Sequence, residues 1–273
     1  MPSCEMRILQ CGFPKSGNYG VQRLLAAILD AHGLRRSYKR RVGLARVAEA
    51  FGSLMFPEAA EVDAFSFASG RCRLEFPHAA CRWLDVDPAL LLDGSNLLWT
   101  HDPCEVALRP ELAAVTHRVY VLRDGRDVVD SLVHHVVRPE VRALQPEYRY
   151  ATPAQVYADE RLFASYARRW AEHVASWLRA RERFVLVRFE ELASDPAGVA
   201  AKLAHALGMA ADAEEIGAAV SFRALRAAAP GHLRRGAAGG FRDAFGAAQR
   251  RVFDAVAGDV LAAAGYAREA DAA

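Results

Sequence analysis

What most constrains this chain is a short apolar run that stops at a glycine and a proline, just before a helical period begins. Met6–Phe13 (MRILQCGF) is rich in strand formers and reads as a buried strand. Pro14-Lys15-Ser16-Gly17-Asn18 follows, and apolar residues then recur at Val21, Leu24, Leu25, Ile28 and Leu29 with the spacing of one helix face. A strand, a polar loop and a helix in that order bring loop amides and a helix amino end to one point, where an anion is favoured. Lys15 adds a point charge there and Ser16 a hydroxyl donor. Of 35 basic residues only Lys15, Lys39 and Lys202 are lysine, so a lysine in this loop is informative. The pattern is not G-x-x-x-x-G-K-[ST], because the lysine precedes the glycine and the loop is shorter.

Three further strands are predicted at Asn96–Thr100, Arg118–Leu122 and Phe184–Arg188. Helices separate them. One runs from about Asp127 to His135. Thr152, Pro153 and Gln155 make a capping box that opens one long helix to about Arg179. Asp195-Pro196 opens another that ends at Gly208, and a last one spans about Ala247–Ala264. Apolar strands without alternation, spaced by helices, predict an α/β fold: a single domain with a central parallel sheet flanked by helices. We place it at residues 1–266, with a frayed tail at 267–273. At 52% hydrophobic and 25% charged, the chain is not natively disordered. A net charge of +2 gives no case for nucleic acid. No apolar run approaches the ~20 residues of a membrane span, and the first residues lack a secretory leader's pattern. Five scattered cysteines contain no C-x-x-C pair, which points to a reducing, cytoplasmic setting. The Ala- and Arg-rich composition is compatible with a bacterial source.

Three other segments carry chemistry. Arg123 closes a strand and Ser131 lies eight residues on, two turns into the next helix, so the two can converge on one phosphate. Arg234-Arg235-Gly236, with Gly239, Gly240 and Phe241, makes a flexible basic loop suited to a polyanion. His101 follows directly on a strand in Trp99-Thr100-His101, at the sheet edge where ligands bind, which raises it as a general base. The run Arg35–Arg41, with four arginines and Lys39, reads as a solvated face.

In this order the four pieces resemble the sulfotransferase family that uses 3′-phosphoadenosine 5′-phosphosulfate (PAPS), on a P-loop NTPase-like fold. Trp170-Ala-Glu-His-Val-x-x-Trp177 and Arg188-Phe-Glu-Glu-Leu also have counterparts there. The resemblance implies that Pro14, Lys15, Ser16, Gly17, Asn18 and Tyr19 hold the 5′-phosphosulfate. It gives the 3′-phosphate to Arg123, Ser131, Arg234, Arg235 and Gly236, and makes Phe189 a nucleotide contact. His101 becomes the catalytic base and Lys15 the stabiliser of the leaving oxygen. PAP is the product, no metal is implied, and the acceptor is a small molecule or carbohydrate. Acceptor loops are expected at about Arg35–Ser95 and Arg138–Tyr157, where Phe51, Phe56, Phe65, Phe67, Phe76 and Trp83 fall. Three positions depart from the family. Gly20 replaces a tryptophan that stacks on adenine, which leaves that task to Phe189, Phe241 or another ring. Trp99 replaces a lysine, and Phe189 replaces a frequent tyrosine. Two alternatives stay open: a PAP- or PAPS-binding protein with impaired catalysis, and a P-loop kinase-like phosphotransferase.

Overall fold

The computed structural model describes residues 6–51, 57–76, 83–145, 147–228 and 236–268. Seven strands form one sheet: β1 (Ile8–Gly12), β2 (Asp63–Ala68), β3 (Arg71–Glu75), β4 (Trp83–Asp85), β5 (Leu97–Thr100), β6 (His117–Leu122) and β7 (Val185–Arg188). Their order is β4-β3-β2-β5-β1-β6-β7. The run from β2 to β7 is parallel, while β3 and β4 pair antiparallel at one edge. The four strands read from the sequence are therefore the centre and one flank of the sheet. The other flank was missed for a physical reason. β2 reads Asp-Ala-Phe-Ser-Phe-Ala and is buried mainly on one side, so it alternates instead of forming an apolar run. Ser69 (φ 52°) and Gly70 (φ 75°) make the two-residue turn into β3, both left-handed as a tight hairpin requires.

Helices cover both faces. α1 (Asn18–Ala31) lays Val21, Leu24, Leu25 and Ile28 on Val119, Val121 and Val187, and α5 (Pro196–Ala206) joins it through Val199 and Leu203. The opposite face holds α2 (Gly125–Val136), α4 (Glu160–Leu178) and α6 (Ala247–Ala263), with Trp170, Trp177 and Phe253 packed against Tyr120 and Leu122. Alternate residues of β6 thus feed two separate cores. The single long helix expected from Thr152 is two, α3 (Pro153–Ala158) and α4. Asp159 breaks it, closing α3 and capping α4 with a side chain that accepts from the Leu162 amide and the Tyr150 hydroxyl. Among the described residues no helix is long and apolar enough to cross a membrane.

The expected solvated run Arg35–Arg41 also needs correction. Lys39 is only 1% exposed, and its backbone amide and that of Tyr38 bond the buried carboxylate of Asp63.

At the start of α2 the Trp170 ring lies flat against Gly125, where an added Cβ would stand 2.5 Å from the ring. Gly125→Ala is expected to lower stability by about 1–3 kcal/mol through overpacking. The urea unfolding midpoint measures it.

Candidate active site

Each site residue lies one step beyond a parallel strand. β1 ends at Gly12, His101 follows β5, Arg123 follows β6 and Phe189 follows β7. These strands are neighbours in the sheet, so four segments distant in sequence meet at one edge.

The loop after β1 is held from within. The Asn18 amide donates to the Phe13 carbonyl (2.8 Å) and accepts from Gln10 (3.3 Å). Lys15 (φ 71°) and Gly17 (φ 97°) are both left-handed, and no side chain caps the amino end of α1. A Cβ on Gly17 would meet the Phe189 ring at 2.7 Å, so glycine is required twice over. The Tyr19 hydroxyl reaches Glu58 (2.8 Å). The side chains of Asn18 and Tyr19 are thus both engaged with protein partners, Asn18 with Phe13 and Gln10 and Tyr19 with Glu58.

His101 is tied to the same loop. Its Nδ1 lies 2.6 Å from the Gly12 carbonyl oxygen. A carbonyl only accepts, so Nδ1 carries the proton and Nε2 keeps its lone pair. His101 is exposed at the surface of the site, but the protein around its ring partly desolvates it and holds its pKa below the usual value; the Gly12 bond and the charges of Glu75 and Asp102 oppose this, and Lys15 adds to it. The adjoining Asp102 is fixed on every side. Its carboxylate accepts from Ser66 (2.8 Å) and from the Phe67 amide (2.7 Å). Its carbonyl accepts from Cys11 Sγ (3.1 Å) and from His173 Nε2 (3.0 Å). His173 Nδ1 in turn accepts from the buried Tyr120 hydroxyl (2.8 Å). The sequence reading noted His173 only as part of a tryptophan-bounded motif; its role beneath the loop shows only in three dimensions. Trp99 is buried with its ring edge-on to His101, centroids 5.3 Å apart, so an aromatic wall stands where a cation was expected.

Arg123 ties a third segment in. It donates to the carbonyls of Lys15 (3.1 Å) and Ala237 (3.2 Å), and its guanidinium lies 3.9 Å from the centre of the Phe189 ring. Its Nε is buried with no hydrogen-bond partner among the described residues. Asp127, one turn along α2, accepts from the amides of Gly239 (2.6 Å) and Phe241 (3.0 Å), strapping the glycine-rich segment to the helix. Gly236 (φ 65°) is on this segment, while Arg234 and Arg235 lie outside the described residues. Ser131 sits half-buried on α2 without a direct bond to Arg123.

The rings proposed for stacking need correction. Phe241 is only 1% exposed and Arg126 covers its ring at 4.2 Å, so it offers no face. Leu192 and Leu225 fill the space beside Gly20. Phe222, which no local pattern marked, packs against Gly236 at the edge of this site.

Beside His101 and Pro14 a cavity of about 240 Å³ opens toward β2 and β3. Of the aromatics in the first expected acceptor stretch, Phe65 and Trp83 line it. Phe67 instead lies under Arg109 and Phe76 joins a small core with Ala60. Phe56 lies outside the described residues, as does the side chain of Phe51.

Burial, and next the charge of His101, lower the His173 pKa to about 4. An unfolded histidine titrates near 6.5, so between pH 6.5 and 4 the unfolded chain binds a proton that the folded one refuses. The stabilisation is complete above pH 6.5 and is lost on acidification, by roughly 3 kcal/mol at most. His173→Asn is expected to flatten that part of the stability–pH curve, measured as urea midpoints at successive pH values.

A profile of the family described as "Sulfotransferase domain" matches residues 5–265. Human sulfotransferase 2B1 is 26% identical over 184 residues, which cover 58% of this chain and 48% of that one. The rat protein of the same name is 26% identical over 186 residues, covering 59% and 52%. The matched region thus spans about half the length of these curated relatives. Among solved structures, mouse sulfotransferase SULT7A1 complexed with PAP superposes with a TM-score of 0.62 at 17% identity, covering 98% of this chain and 91% of that one. Retinol dehydratase in a complex with retinol and PAP gives 0.58 at 17%, covering 96% and 82%. At those identities the structures establish the fold.

Proposed function

The chain belongs to the sulfotransferase domain family, and on that premise we propose that it transfers a sulfuryl group from PAPS to a hydroxyl of a carbohydrate or small secondary metabolite. The observation that carries the reading is the bond from His101 Nδ1 to Gly12, which leaves Nε2 as a base at the mouth of the anion loop. Two features fit a nucleotide phosphorylated at both the 3′ and 5′ positions. The amino end of α1 is uncapped beside Lys15, and Arg123 keeps a buried donor without a protein partner. A buried donor left unmade costs about 1–3 kcal/mol, which a phosphate oxygen would offset.

The donor supplies an activated sulfuryl group. His101 Nε2 takes the proton of the acceptor hydroxyl as that oxygen bonds to sulfur. The bond from sulfur to the bridging oxygen breaks, and its electrons stay on the departing 5′-phosphate. Lys15, the loop amides and Ser16 stabilise that growing charge. Arg123, Ser131 and the segment carrying Arg234, Arg235 and Gly236 hold the 3′-phosphate and set the register of the sulfur with His101. Phe189 positions Arg123 by stacking beneath its guanidinium. Phe222 is the ring we assign to the base, in place of Phe241. The acceptor enters through the cavity between Trp99 and Phe65.

His101→Ala is expected to lower kcat about 10²- to 10⁴-fold while calorimetric affinity for PAP changes little. Unchanged turnover would remove His101 from the reaction, and PAP binding without transfer by the wild type would leave a binding protein. Because water exclusion lowers the His101 pKa, kcat/KM should fall on acidification with an apparent pKa below 6.5 and be flat above it. Arg123→Ala should weaken PAP about 10- to 100-fold, as loss of a charge-assisted contact does, and weaken AMP far less. Equal losses for both ligands would refute the 3′-phosphate assignment.

A further inference from the structure

The cavity beside His101 carries more chemistry than an apolar acceptor needs. Lys39 lines it and is only 1% exposed. Its ammonium donates to the carbonyls of Val62 (2.6 Å) and Ala59 (3.3 Å), both of which belong to residues that line the same cavity. An ammonium has three donors, so one remains. Among the described residues the ammonium bonds these two carbonyls and forms no ion pair. The charges of the buried Asp63 and then of Glu75 favour the ammonium against the cost of its burial.

The acids nearby are unequal. Asp63 directs its two oxygens at the amides of Tyr38 and Lys39, and Asp102 directs its own at Ser66 and Phe67. Glu75 lines the cavity, and its charge acts on both Lys39 and His101. A carboxylate offers about four lone-pair directions, so it can accept from a ligand hydroxyl alongside its protein contacts. The walls between these groups are the rings of Phe65, Trp83 and Trp99. At about 240 Å³ the space lies below the ~300–1,000 Å³ of sites for drug-sized ligands.

Resting on the sulfuryl-transfer reading, we infer that the acceptor is a neutral, single-ring polyol, a monosaccharide unit or cyclitol with adjacent hydroxyls. Lys39 donates to one hydroxyl oxygen and Glu75 accepts from the neighbouring hydroxyl. The apolar face of the ring lies on a tryptophan, and a further hydroxyl meets His101 Nε2. Glu75 disfavours acceptors with a carboxylate, and the small volume disfavours fused four-ring acceptors.

The test follows label from [³⁵S]PAPS into methyl glucoside, methyl galactoside, methyl mannoside, myo-inositol, 4-nitrophenol, 4-hydroxybenzoate and androsterone. At least one polyol should exceed the phenol, the benzoate and the steroid in kcat/KM. Lys39→Met and Glu75→Gln should each raise KM for that polyol about 10- to 100-fold, the range for hydrogen bonds to charged groups, with PAP affinity unchanged. Preference for 4-nitrophenol or androsterone, or an unchanged polyol KM in both variants, overturns the inference. No label in any acceptor overturns the sulfuryl-transfer reading instead. In that event saturation-transfer NMR with the same polyols decides the cavity separately: signal lost in Lys39→Met upholds the polyol site, and no signal in the wild type rejects it.

Discussion

The register of four parallel strands governs this molecule. Cys11 pairs with Thr100, Gly12 with Val121 and Leu122 with Arg188, so His101 stands level with Gly12, and Arg123 and Phe189 stand side by side two residues further along the sheet edge. Both faces of these strands are buried, and a slip of one residue would turn every side chain to the opposite core. The same slip would carry His101 about 3.3 Å away from the Gly12 carbonyl. The hydrophobic cores therefore allow one alignment, and in that alignment His101, the Lys15 loop and Arg123 converge at one sheet edge.

That explains which parts were legible in sequence. Strands buried on both faces read as apolar runs, so the places of His101, Arg123 and the Lys15 loop at the ends of those strands were legible in sequence. β2 and β3 escaped because they alternate, and β4 because it contributes only three residues. Lys39 escaped for a related reason. A basic run looks solvated until a carboxylate such as Asp63 folds two of its amides inward, and Asp63 is 24 residues away from Lys39 in the chain. His173 and Phe222 escaped because their meaning lies in a partner, the Asp102 carbonyl for one and Gly236 for the other. Asp159 could have been found: an aspartate three residues before Leu162 is a cap that interrupts as well as begins a helix.

Two unlike environments meet at His101. On one side lie Lys15, Arg123 and the uncapped end of α1, a concentration of positive potential held in place by the strap from Asp127 to Gly239 and Phe241. On the other lie Glu75, Asp102, aromatic rings and one buried lysine. On the proposed reading, a polyanionic donor and an uncharged acceptor would be sorted to opposite sides before any chemistry begins. Trp99 belongs to this division: replacing a cation with a ring beside His101 leaves Lys15 as the cation of the loop and gives the acceptor side an apolar wall.

A crystal structure of this chain with PAP tests the account most directly. The account predicts the 5′-phosphate on the main-chain amides of residues 15–18, the 3′-phosphate bonded to Arg123 Nε, and His101 facing the 5′-phosphate from across the gap. PAP seated away from the ends of β1 and β6, or an Arg123 Nε that still lacks a partner in the complex, would contradict it.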